Sequence, residues 1–108
     1  MKNTPVKKKN IKWALHLYVA GKTQKAIIAL RNLKIICEEQ LKGNYHIEVI
    51  DLLKHPKLAR TEQIIAIPTL IRKSPLPTKS IIGDLSNTEV ILVSLGLAEP
   101  NQYRISQN

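Results

Sequence analysis

Trp13-Ala14-Leu15-His16-Leu17-Tyr18-Val19-Ala20-Gly21-Lys22-Thr23-Gln24 is the stretch that decides the fold. Trp13, Leu15, Leu17 and Val19 fall on one side of an extended segment and Ala14, His16, Tyr18 and Ala20 on the other. That alternation, apolar on nearly every position, predicts a strand buried on both faces. Gly21 stops it. Thr23 is placed to cap a long helix that runs to Lys42-Gly43, where glycine supplies a left-handed residue. Helical spacing gives this helix a core stripe of Ala26, Ile27, Leu30, Leu33, Cys37 and Leu41. On its opposite side Ile28 and Ile35, flanked by Arg31, Asn32, Glu38 and Glu39, form a candidate interaction surface, set against the ordinary scatter of surface aliphatics.

Downstream, Tyr45 to Asp51 predicts a second strand, and Pro56 opens a short helix carrying Leu58, Ala59, Glu62 and Gln63. Pro68 to Lys73 reads as a third strand, Ser74-Pro75-Leu76-Pro77 as a rigid turn, and Thr78 to Ile82 as a fourth strand ending in a Gly83-Asp84 turn. Ser86-Asn87-Thr88-Glu89 has the form of a capping box and predicts a final helix ending before Pro100. Val90-Ile91-Leu92-Val93 fits two states, a strand by its β-branching or a helix that is simply buried.

Composition excludes several function classes. The chain has 108 residues, 44% of them apolar and only 4% aromatic with no Phe, which predicts one domain with an Ile, Leu and Val core. A single cysteine, Cys37, rules out an internal disulfide or a CxxC couple, and its place in the core stripe predicts a buried hydrophobe. His16, His46 and His55 lie on separate elements without a ligand-spaced companion, which argues against a metal site. Ser74, Ser80, Ser86 and Ser94 sit in turn or cap contexts without a base, and no glycine-rich phosphate loop or other cofactor motif is present. The net charge is +9, but Lys2, Lys7, Lys8, Lys9 and Lys12 account for five of those charges. Residues 1–11 are therefore expected to form a flexible basic tail, 12–98 the folded domain and 99–108 a second flexible tail. With no apolar run near the ~20 residues that span a bilayer, and with His16 interrupting the only stretch resembling a signal peptide, the chain is expected in the cytoplasm, away from membranes.

The order strand, helix, strand, helix, strand, strand, helix (βαβαββα) is similar to the thioredoxin-like α/β arrangement, and Ile67-Pro68 falls where that fold places its cis proline. The junction that carries the redox thiols of that fold reads Ala20-Gly21-Lys22-Thr23-Gln24 here, without cysteine. Leu17-Tyr18-Val19-Ala20-Gly21, Ala29-Leu30, Val49-Ile50-Asp51-Leu52-Leu53-Lys54, Pro68-Thr69-Leu70, Pro75-Leu76-Pro77 and Ile81-Ile82-Gly83-Asp84-Leu85-Ser86 together resemble the KaiB family. The resemblance spans Trp13 to Leu97 and implies a non-enzymatic regulator that binds a KaiC-like hexameric ATPase, with KaiA-like or sensor-kinase proteins as further partners.

The same resemblance implies two folds of one chain, a thioredoxin-like binding form and a resting dimer or tetramer with a rearranged C-terminal half. Pro68, Pro75, Pro77, Gly83, Asp84, Ser94 and Gly96 are then the turn or fold-switch positions. Partner-binding positions implied by it, together with the helix surface, are Ile28, Ile35, Glu48, Lys54, Arg60 and Gln63. The chain departs from the family at Gln24, usually proline; at Ile28, usually basic; at Glu48 and Gln63, usually lysine; and at Ser94-Leu95-Gly96, commonly Gly-Leu-Asp. The alternative reading is a basic nucleic-acid-binding domain, although no established nucleic-acid motif is present. A thioredoxin-like enzyme is disfavoured by the cysteine count.

Overall fold

In the computed structural model, residues 12–100 are described; the expected basic tail 1–11 and residues 101–108 of the expected C-terminal tail lie outside the described residues. The elements are β1 (Trp13–Val19), α1 (Gln24–Leu41), β2 (Tyr45–Asp51), α2 (Lys57–Thr61), β3 (Thr69–Ser74), β4 (Lys79–Ile82) and α3 (Thr88–Ser94), in the expected order. They form a mixed four-stranded sheet, β2-β1-β3-β4, with β1 parallel to β2 and antiparallel to β3, and β3 antiparallel to β4.

The long β1–α1–β2 crossover is what permits a parallel pair, while the short proline turn between β3 and β4 suits an antiparallel one. Leu15, Leu17, Val19 and Leu70 bury one sheet face against Ala26, Ala29, Leu33, Ile36 and Cys37 of α1 and Ile91, Leu92 and Leu95 at α3. Tyr18, Ile50 and Ile71 bury the other face under Leu52, Leu58 and Ile64, around α2. Central β1 is apolar on nearly every position because it lies between the two helix layers, as does β3 at Leu70 and Ile71.

Thr23 caps α1, its hydroxyl accepting from the Ala26 N–H at 3.1 Å. At the far end Lys42 itself is left-handed (φ 45°), ahead of Gly43. Three expectations are corrected. Ile27 is 53% exposed, and Ala29 and Ile36 take the core places instead. Ile28 is partly buried, unlike Ile35, which is 49% exposed. The Asn32 side chain, one turn along the same helix side, donates to the Asp84 carbonyl at 3.0 Å, so the β4–α3 loop covers that flank. The cap of α3 is Asn87, whose side chain accepts from the Val90 N–H at 3.2 Å; the N–H of Ser86 is turned to the Asp84 carboxylate instead. The run Val90–Val93 is helical, since Ile91 and Leu92 are buried against the core.

Candidate functional site

The turn between β1 and α1 is held from the end of β2. One carboxylate oxygen of Asp51 accepts from the Gly21 N–H at 3.0 Å and from the Leu53 N–H at 2.9 Å, and these bonds hold its carboxyl below the usual carboxylate range. Gly21 sits at φ +80°, and a Cβ there would lie 3.3 Å from Leu53 Cδ1, so glycine answers both the backbone and the packing. The Ile67–Pro68 peptide is cis, as are those before Pro75 and Pro77. Val19, Ala20, Thr23, Gln24, Ile67 and Pro68 help line a groove of about 340 Å³. This is where the thioredoxin-like arrangement would hold its thiols, and the lining is mostly apolar. Cys37 lies in the core with its thiol pushed up to about 12, first by burial and then by Glu38, so it is inert at neutral pH. Surface shape, not nucleophilic chemistry, is what this corner offers.

A second, larger cleft of about 490 Å³ opens on the α2 face. The parallel register sets His16 against Glu48 and Tyr18 against Ile50. His16 Nε2 stands 3.6 Å from Glu48 Oε1, while its Nδ1 is buried without a hydrogen-bond partner. Lys73 donates to Glu62 at 2.9 Å, tying β3 to the residue that ends α2. Burial, opposed by Glu48, lowers the His16 pKa; burial, reinforced by Glu62 and Glu48, raises that of Tyr18. Among the described residues no group of three or more His, Cys, Asp or Glu is placed to hold a metal ion.

Four of the expected partner-binding residues come together on this side. Glu48 and Lys54 line the cleft, Arg60 is exposed on α2, and Gln63, at φ +59°, is exposed just after it. Ile28 and Ile35 do not join them, because α1 packs on the opposite sheet face. The expected turn residues divide between the two ends of β3, with Pro68 and Gly83 at its start and Pro75 and Pro77 after its close. Gly83 donates its N–H to the Pro68 carbonyl at 2.9 Å, Gly96 donates to Val93 at 3.0 Å, and Ser94 closes α3. Asp84 accepts from Ser86, whose hydroxyl and N–H lower its pKa, and serves the turn.

The residue that organises the Pro75–Pro77 end of β3 was not foreseen. Arg72, 6% exposed, donates Nη1 to the Leu95 carbonyl at 2.6 Å and Nη2 to the Pro77 carbonyl at 2.7 Å, with its guanidinium 5.4 Å from the Trp13 ring centre. It joins β1, the proline turn and the end of α3, and Gly96 backs onto it, a Cβ there falling 3.6 Å from Nη1. Its signal in the sequence is alternation: two residues after core Leu70, position 72 falls on the buried face, where a charge must find partners.

The family model of the KaiB domain matches residues 16–97, which include all but the first residues of β1 and every later element. This chain belongs to the KaiB family. A circadian clock oscillator protein KaiB of Microcystis aeruginosa is 48% identical over 85 residues, 79% of this chain and 82% of the relative. One from Trichodesmium erythraeum is 46% identical over 94 residues, 87% of this chain and 88% of the relative. Among solved structures, the N-terminal domain of Synechococcus elongatus SasA superposes with a TM-score of 0.67 at 14% identity, covering 92% of this chain and 97% of that one. Similarity at that level establishes the thioredoxin-like fold of this KaiB-family chain and nothing beyond it.

Proposed function

We propose that this KaiB-family chain is a non-enzymatic regulator of a circadian clock or clock-derived system, which binds a KaiC-like hexameric ATPase and modulates its phosphorylation or signalling state. The observation that carries this reading is the KaiB match over nearly the whole described domain. A thiol-free groove at the redox corner supports it, since the fold retains a binding shape there without the chemistry. The surface assigned to the partner is the α2 side, with Glu48, Lys54, Arg60 and Gln63. Ile35 and the partly buried Ile28 are a separate patch on α1. Sedimentation velocity with a KaiC-like ATPase from the same source tests the proposal: a complex is expected, and none at high micromolar concentration overturns it. Gln63→Asp and Arg60→Glu should weaken the complex, and unchanged affinity in both moves the contact elsewhere.

The second part of the proposal is that Pro68 to Leu97 exchanges between this packing and a resting oligomeric one, with the partner selecting the form described here. Doubled or slowly exchanging amide signals confined to residues 68–97 are expected by nuclear magnetic resonance. One sharp set, unchanged on adding the partner, overturns it. The net charge of +9 favours one competing reading, nucleic-acid binding, which would show affinity falling steeply with salt in the absence of any partner protein.

A further inference from the structure

The polar cleft on the α2 face contains an arrangement that neither the fold nor the KaiB match accounts for. His16, on the central strand, is faced from β2 by Glu48 and His46, from β3 by Lys73 and from the end of α2 by Glu62, and it shares β1 with Tyr18, whose ring lies 6.2 Å away. Asp51 at the end of β2, with Lys54 and His55 from the turn after it, completes the charged lining. In a neutral imidazole one nitrogen carries the proton and the other a lone pair. With Nε2 directed at Glu48 and Nδ1 buried and unpartnered, the neutral ring already leaves one polar atom unsatisfied.

Protonation changes the balance at every neighbour. Both nitrogens become donors, the 3.6 Å approach to Glu48 becomes a true ion pair, and the buried Nδ1–H requires an acceptor that the neutral arrangement does not provide. Glu62 is the other carboxylate whose charge reaches the ring, and it is held by Lys73, which the new imidazolium repels. The Lys73–Glu62 ion pair joins the C-terminal end of α2 to the sheet, beside the apolar packing of Leu52, Leu58 and Ile64 on the short Tyr18, Ile50, Ile71 cluster.

We propose that His16 is a proton-operated latch of the α2 face: when it is protonated, Glu48 and Glu62 are drawn towards it, the Lys73–Glu62 tie is released, and α2 shifts on the sheet. Burial as the leading influence on the ring places this event on the acid side of an ordinary histidine, so the described packing is the neutral-pH state. Because Lys54, Arg60 and Gln63 ride on or beside α2, the latch would also make partner affinity pH-dependent; that consequence alone rests on the function proposed above.

The test is a nuclear magnetic resonance titration of the free full-length chain from pH 7.5 to 5.0, following the three histidine rings and the backbone amides. The expected result is a His16 midpoint below about 6.5, shared by the amides of Lys57 to Gln63 and by Tyr18, absent in His16→Gln, and moved to lower pH in Glu48→Gln. If the α2 amides instead follow the His46 or His55 ring, or stay still while His16 titrates, the proposal is overturned. Should His16→Gln fold poorly, the wild-type comparison of ring and amide midpoints decides by itself. Partner affinity at pH 7.5 and 6.0 is read separately: no complex at either pH fails the proposed function and leaves the latch standing on the free-chain titration.

Discussion

Thirteen buried residues from β1, β3, α1, α3 and the Leu85 loop close one face of the sheet, whereas on the other face the five-residue α2 covers a cluster of three, Tyr18, Ile50 and Ile71. The first face has the aliphatic interdigitation that resists unfolding. The second gives up apolar burial for a cleft lined by three carboxylates, Glu48, Asp51 and Glu62, with a lysine bound to Glu62 and a half-satisfied histidine. Stability is thus concentrated on one side of the sheet, which leaves the other free to carry groups that respond to pH or to a partner.

The sharpest way to break this comparison is a matched pair of truncations. Leu33→Ala, at a fully buried position on α1, should cost about 2–5 kcal/mol in urea unfolding. Leu58→Ala, at a half-buried position on α2, should cost only about 1 kcal/mol. Equal losses would mean that the two faces are equally built. Next in size is Arg72→Met, which keeps the stem but strands the Leu95 and Pro77 carbonyls. A loss of about 2 kcal/mol is expected, with faster amide exchange in α3 than in α1. Uniform acceleration would show that Arg72 is not specific to the C-terminal end.

Smaller effects test the helix ends. Thr23→Ala and Asn87→Ala each remove one side-chain cap and should cost about 1 kcal/mol. Ser86→Ala should cost less than Asn87→Ala, the reverse of a box built on Ser86. The smallest effect is electrostatic and separates the two faces by pH. Asp51 has a lowered folded pKa, so its contribution is present above the ordinary carboxylate range and disappears as pH falls through the lowered value. Asp51→Asn should therefore flatten stability against pH below about 4. His16 also has a lowered folded pKa, but as a base: it removes stability as pH falls below the ordinary histidine value, and His16→Gln should flatten the curve near pH 6 instead. Overlapping windows in urea unfolding would contradict the assignment.

Much of the fold was legible because its signals are local. The alternation of Trp13 to Val19, the Thr23 cap, the Pro56 helix start and the proline turn each use nearest neighbours in sequence, and each appears in place. Where two local signals competed, as at Ser86 against Asn87 or in the β-branched Val90–Val93, the packing of Ile91 and Leu92 against the core accompanied the helical outcome. The helix stripe was misread at Ile27 because a period of 3.6 fixes an angular sector but not which edge of it the sheet covers.

The sequence by itself therefore determined the order of elements, the family, the absence of a thiol pair and the burial of Cys37, since all follow from residue type and short-range spacing. Only the tertiary structure decided that His16 meets Glu48 from 32 positions away, that Lys73 holds Glu62, and that Arg72 bridges the proline turn to the end of α3. Strand register and layer choice create those meetings. Each pairs polar groups whose separation along the chain carries no periodic signal, and a polar group withdrawn from water is stable only beside the partner that the fold brings to it.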